Sequence, residues 1–181
     1  VRHRHGEFFT PDGLADRVVE WTWPADRPLP ARILDPACGS GAFLLAWVRR
    51  IRRQVAPEEA RERIEAGLSG GDRDPLALLA ARVNLRLATA GLPGAGRRPR
   101  GFDLRRVDVV AEDVEVEPFD LVSGNPPWVN LEDVDPARRG ALLSRGRELG
   151  LLASRGANVI LGRAKQDVSL VVTLRVAERY L

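Results

Sequence analysis

The run Ile33-Leu34-Asp35-Pro36-Ala37-Cys38-Gly39-Ser40-Gly41-Ala42-Phe43-Leu44-Leu45 restricts the fold of this chain more than any other stretch. It reads as a strand, a tight loop of small residues and the start of a helix. That is the layout of a nucleotide-type cofactor site in a doubly wound sheet. It is neither a phosphate-binding P-loop nor the dinucleotide fingerprint, because no Gly-Lys-Ser/Thr is present and the glycine spacing does not fit G-x-G-x-x-G. Asp35 at the strand end puts a carboxylate beside the loop, which repels a pyrophosphate and favours an ammonium.

The rest of the chain alternates in the same way. Residues 11–21 read as a helix, with Thr10 as a candidate N-cap and Pro11 at the first helical position. The first strand is expected over 32–34, helices over 42–55 and 57–66, and a glycine-weakened strand over 67–72. Asp74-Pro75 opens a helix to about Ala90, with Leu78, Leu79, Val83 and Leu87 as its expected buried stripe. Short strands are expected over 107–110 and 119–123, and helices over 136–152 and 166–181. Strands that alternate with helices imply an α/β fold with a mostly parallel sheet.

Asn125-Pro126-Pro127-Trp128 follows the last of these strands. Two prolines remove two backbone donors and fix the local φ angles, and the residue before each is held extended. The result is a rigid ledge that presents a side-chain amide, carbonyl oxygens and a flat ring. It suits a planar group with an exocyclic amine, whose two N–H bonds the oxygens accept while the ring stacks on its face.

Asp-Pro-Ala-Cys-Gly-Ser-Gly followed by Asn-Pro-Pro-Trp resembles the S-adenosylmethionine-dependent amino-methyltransferases of DNA, in particular the adenine-N6 class of restriction–modification and phage-defence systems. Gly6-Glu7-Phe8-Phe9-Thr10-Pro11 is similar to the N-terminal cofactor motif of that class. The resemblance implies a Rossmann-like class I methyltransferase fold, a three-layer sandwich whose sheet is truncated here after about the fourth strand. The family's last strands and its target-recognition domain are expected to be absent. The implied organisation is an N-terminal cofactor-motif helix over 1–30, a cofactor and catalytic core over 31–128, and a post-catalytic loop with helices over 129–181.

The implied cofactor is S-adenosyl-L-methionine. Asp35 takes its ammonium, and the loop Pro36, Ala37, Cys38, Gly39 and Gly41 lets the backbone approach closely. Thr10 binds the methionine carboxylate by resemblance; on the residues alone it is equally well a helix cap. Asp72 is the expected acceptor for the ribose hydroxyls, with Asp74 as a competitor better suited to capping the next helix. Asp108 is the expected acceptor for the adenine amine, with Asp103 and Asp113 as competitors. Phe8 and Phe9 either wall the pocket or belong to the core. Cys38 reads as a small buried residue and not as a nucleophile. The implied catalytic residues are Asn125, Pro126, Pro127 and Trp128, acting on a flipped-out adenine of double-stranded DNA.

Arg97, Arg98 and Arg100 form the densest basic cluster, and Arg138, Arg139, Arg145 and Arg147 lie past the ledge. The first set reads better as a solvated loop than as phosphate contacts, and the second fits either. The net charge of +3 carries little weight, because Lys165 is the one lysine and the Arg-rich composition reflects coding bias. One cysteine excludes a disulfide framework and a cysteine zinc site. No signal peptide or membrane-length apolar run appears, so no membrane partner is expected and a cytoplasmic location is the default. A chain of 181 residues that begins at Val1 and contains no Met reads as a piece of a longer protein. A specificity or nuclease subunit, or a fused domain, is the expected further partner.

Other readings stay open. A protein glutamine-N5 methyltransferase shares Asn-Pro-Pro-aromatic, but usually has Tyr in the fourth place and a different N-terminal region. Methylation of an RNA amine is a third reading, and an inactive cofactor-binding fragment a fourth. The isolated fragment is expected to be inactive.

Overall fold

The computed structural model describes residues 9–93, 101–109, 112, 117–128, 134–150 and 168–181. The chain divides into two compact units. One comprises 9–107 with 119–125, and the other comprises 1–8, 108–118 and 126–181.

The first unit carries the sheet. Its elements are α1 (Asp12–Thr22), β1 (Ile33–Asp35), α2 (Ala42–Gln54), α3 (Pro57–Gly67), β2 (Leu68–Asp72), α4 (Pro75–Thr89), β3 (Asp103–Arg106) and β4 (Leu121–Val122). The four strands run in the order β3-β2-β1-β4, and every pairing is parallel. Ile33 and Leu34 face Leu68 and Ser69 on one side and Leu121 and Val122 on the other. β4 is only two residues long, but Asp120 extends its attachment: Oδ2 accepts from the N–H groups of Ala31 and Arg32, each at 2.8 Å. All strands of a parallel sheet end on one edge. Asp35, Asp72 and the segment entering Asn125 therefore share that edge, and the strand order reverses between β1 and β4. Ligands of open α/β sheets bind at such a switch point.

The helices form where the apolar spacing predicts them. α2 buries Phe43, Leu44, Trp47, Val48 and Ile51, and Trp47, Leu44, Ile33, Ile64, Leu68 and Leu85 are fully enclosed. β2 holds despite its glycines, because they fit its packing. A Cβ on Gly70 would lie 2.8 Å from Leu104 Cδ2 and 3.0 Å from Leu44 Cδ1. Asp74 is the N-cap of α4, its Oδ1 accepting from Leu76 N–H at 2.9 Å.

Three expectations are corrected here. Pro11, not Thr10, is the N-cap of α1, and no side chain caps that helix. The third strand is 103–106 and not 107–110, and Val107 to Val109 follow it. β3 is an edge strand, so Asp103, Arg105 and Arg106 remain exposed while the buried valines come after it. The buried face of α4 is Leu78, Ala81, Leu85 and Thr89, whereas Leu79, Val83 and Leu87 are exposed. The helix carries apolar residues on two faces, so periodicity alone does not choose between them.

In the second unit, α5 (Pro136–Glu148) packs against α6 (Val168–Tyr180). α6 buries Val168, Val171, Val172 and Val176, while Leu174 and Leu181 lie outside that stripe. Among the described residues no helix is long and apolar enough to cross a membrane.

Candidate active site

Asp35 closes β1 and is buried, with 1% of its surface exposed. Its Oδ1 accepts from Ala37 N–H at 3.2 Å. Burial pushes the carboxyl up to about 8; the Ala37 N–H opposes this, and the charge of Asp72 adds to it. A buried carboxylate held by one weak backbone hydrogen bond calls for a cationic partner. The donor set at this edge thus fits an ammonium, as Asp35 suggested in the sequence.

The loop that follows is fixed from three sides. Cys38 N–H donates to Gly71 O at 2.8 Å, and Gly41 N–H donates to Cys38 O at 2.8 Å. Gly39 N–H donates to Asp72 Oδ2 at 2.8 Å. From α4, Asn84 Nδ2 donates to Ser40 O at 3.0 Å. Gly41 caps α2 with φ of 94°, a left-handed conformation that explains the glycine there. Pro36 and Ala37 form the turn between Asp35 and this loop. Cys38 is buried, and burial together with the charges of Asp35 and Asp72 pushes its thiol well up, so it is no nucleophile.

Asp72 lies at the end of β2 beside the loop. Its Oδ1 accepts from Asp74 N–H at 2.9 Å while Oδ2 holds Gly39. Each carboxylate oxygen has a second lone pair, so the same group can accept a further donor. Asp74 is committed to its helix.

Beyond β4, Gly124 packs on Asp35 so closely that a Cβ there would collide with Oδ1. The next residue, Asn125, is therefore beside the Asp35 edge. Its Nδ2 donates to Thr10 Oγ1 at 3.3 Å, a contact across 115 positions of sequence. This unit thus unites Thr10, Asp35, the 36–41 loop, Asp72 and Asn125.

The remaining candidates belong to the second unit or elsewhere. Asp108 lies past β3, and Arg138 donates to both its carboxylate oxygens through Nε and Nη2. Asp108 comes just after the C-terminal end of β3, so the expectation of an acceptor at a strand end keeps its place in the chain although the strand lies earlier than expected. Asp103 starts β3, where it binds Arg105 and accepts from Ser69 Oγ, so it is at the opposite end of the strand from the ligand edge. Trp128 is 52% exposed and Phe9 69%, so neither belongs to the core. Pro126 and Pro127 are half-buried. Gly6, Glu7, Phe8, Arg97, Arg98, Arg100 and Asp113 lie outside the described residues.

Two contributors escaped the sequence reading. Asn84 was legible only as a polar residue, and a poor helix former, inside a helix. The Thr10–Asn125 contact has no local signal at all. Among the described residues, no group of His, Cys, Asp and Glu could hold a metal ion.

Comparison with known proteins identifies the family and the fold. The family model described as N-6 DNA Methylase matches residues 2–136. The type II methyltransferase M.XamI of Xanthomonas campestris pv. amaranthicola is 30% identical over 156 residues, which is 83% of this chain and 25% of that protein. The type I restriction enzyme MjaIX methylase subunit of Methanocaldococcus jannaschii is 30% identical over 128 residues, 70% of this chain and 20% of that subunit. Among solved structures, the type I restriction-modification methyltransferase subunit of Streptococcus thermophilus superposes with a TM-score of 0.62 at 21% identity. That match covers 97% of this chain and 32% of the subunit, and it shows the shared fold. The chain thus spans only a quarter and a fifth of the length of these two curated relatives.

Proposed function

Because the chain belongs to the N-6 DNA Methylase family, we propose that it is the catalytic portion of an S-adenosylmethionine-dependent methyltransferase acting on the N6 amine of adenine in DNA. The observation that carries this reading is the packing of Gly124, which leads into Asn125, on Asp35 at the β1/β4 switch point. Asp35, suited to an ammonium, and Asn125, suited to an amine, stand at the strand ends of one sheet edge, where ligands of this fold bind.

S-adenosylmethionine supplies an electrophilic methyl group when bound. Asp35 would hold its ammonium, Asp72 its ribose hydroxyls and Thr10 its carboxylate, with the backbone of the 36–41 loop close against it. The target amine is a poor nucleophile because its lone pair is delocalised into the ring. Asn125 Oδ1 and the carbonyl of Pro126 accept its two hydrogens, the nitrogen pyramidalises, and the lone pair turns toward the methyl carbon. This is alignment and electrostatic stabilisation, with no strong general base. As the N–C bond forms, the bond from the methyl to sulfur would break, S-adenosylhomocysteine would be the leaving group, and the proton would go to water after transfer. A base inside a duplex cannot reach such a ledge, so the adenine is flipped out. The exposed Trp128 offers a ring on which it stacks, worth about 1–3 kcal/mol. Choice of a target sequence, and any nuclease, is assigned to polypeptide or subunits other than residues 1–181.

The test uses the full-length protein with methyl-labelled S-adenosylmethionine, duplex DNA of mixed sequence and a protein extract. Label in N6-methyladenine is the expected result, and label on glutamine or in RNA would overturn it. Asn125→Ala is expected to abolish transfer and leave cofactor affinity within a few-fold. Loss of affinity as well would move Asn125 from the reaction to the cofactor site.

A further inference from the structure

We infer that Asn84 is a positioning residue for the cofactor: its side-chain amide locks the peptide plane between Ser40 and Gly41, so that the loop is set before any ligand arrives. The inference rests on the cofactor site proposed above and deepens it.

Gly41 lets the loop turn into α2 with φ of 94°. The same freedom is a liability. Glycine adopts positive and negative φ about equally readily, so the peptide unit before Gly41 can rotate about the single bonds on either side of it. Such a flip reverses the directions of the Ser40 carbonyl and the Gly41 N–H. A loop whose backbone lies against a ligand cannot leave that plane open.

The structure holds the plane at both ends. Gly41 N–H donates to Cys38 O at 2.8 Å, and Asn84 Nδ2 donates to Ser40 O at 3.0 Å across 44 positions of sequence. The first bond lies within the loop and moves with it. The second comes from outside. Asn84 stands on α4 one helical turn beyond Ala81, which is fully enclosed and would lie 3.4 Å, Cβ to Cβ, from a side chain on Gly41. The start of α4 is anchored too: Asp74 caps the helix, and its own N–H donates to Asp72 Oδ1. Asp72 Oδ2 in turn holds Gly39. Gly39 and Ser40 are thus tied to one support, the first through Asp72 and the second through Asn84. Asparagine is a poorer helix former than leucine or alanine, and the bond to Ser40 gives it a reason to stand inside α4.

Asn84→Leu removes the donor while favouring the helix, and Asn84→Asp keeps the shape with an acceptor-only group. Both are compared with the parent as full-length proteins. Without ligand, amide exchange read by mass spectrometry is expected to quicken about 3–10-fold over 36–45 in both variants, the scale of one lost hydrogen bond. Exchange over 75–89 is expected to stay at the parent rate in Asn84→Leu. Calorimetry is expected to show S-adenosylmethionine and S-adenosylhomocysteine bound about 3–10-fold more weakly by both variants, because the loop is no longer preset. The KM for S-adenosylmethionine is expected to rise by more than kcat falls. Unchanged affinity in both variants would overturn the inference. Faster exchange throughout α4 in Asn84→Leu would make the residue a support of the helix and overturn it as well. If the parent binds neither compound, the proposed function fails. Faster exchange confined to 36–45 then still assigns the lock to Asn84, and unchanged exchange there removes it.

Discussion

Asp35 is the residue most out of balance with its surroundings. Its folded carboxyl sits at about 8 against 3.8 for the free group, so the folded state holds a proton that the unfolded state has released. The stability associated with that proton is full below the unfolded value and is lost as pH rises through the folded one. Asp35→Asn is therefore expected to melt higher than the parent at pH 8.5, by on the order of a few kcal/mol. The gap narrows as pH falls toward 4, and a gap independent of pH would refute the assignment. On the proposed reading, the ammonium of the methyl donor pulls the proton off. Calorimetry at pH 7 in two buffers of different ionisation enthalpy is then expected to show proton release on binding, absent in Asp35→Asn. Gly124→Ala drives a methyl into this carboxylate and is expected to cost about 1–3 kcal/mol in denaturant melts. Thr10, Asp35, Asp72 and Asn125 all stood out in the sequence, because each ends a strand or belongs to a motif. The contact between Thr10 and Asn125 did not, since the two are remote in the chain, and the alternative reading of Thr10 as a helix cap proved wrong.

At the scale of elements, α4 shows where pattern reading runs out. Leu76, Leu79, Val83 and Leu87 form as good a stripe as Leu78, Ala81 and Leu85, and the structure buries the second set. Leu85, fully enclosed, is expected to lose about 2–5 kcal/mol on change to Ala. Leu87→Ala, on the exposed face, is expected to stay within about 0.5 kcal/mol. Similar losses at both positions in chemical denaturation would mean that the two faces are not distinguished as described. β3 misled for a related reason. An edge strand buries little, so its alternation of Asp and Arg carried less apolar signal than the valines after it. α2 and β1 read true because their apolar residues all point into one core.

For the whole molecule, the family match and the four parallel strands agree with the fold that the sequence implied. Parallel pairing followed from the alternation of elements, whereas the strand order and the division into two units were not read from the sequence. Residues 1–181 alone are expected to bind S-adenosylmethionine weakly and to leave no N6-methyladenine in DNA under conditions where the full-length protein does. Robust methylation by this piece, read by digestion and mass spectrometry, would contradict that.

The hold of Asp72 and Gly71 on the 36–41 loop has one more consequence. Cys38 lies in that loop, is the sole thiol of the chain, and is both buried and reluctant to ionise. An aromatic disulfide reagent reaches it when the loop lets go, so the speed of the colour change times the opening of that loop. The protein carries its own stopwatch there, without any label having to be engineered. It should run slower whenever a ligand pins the loop shut.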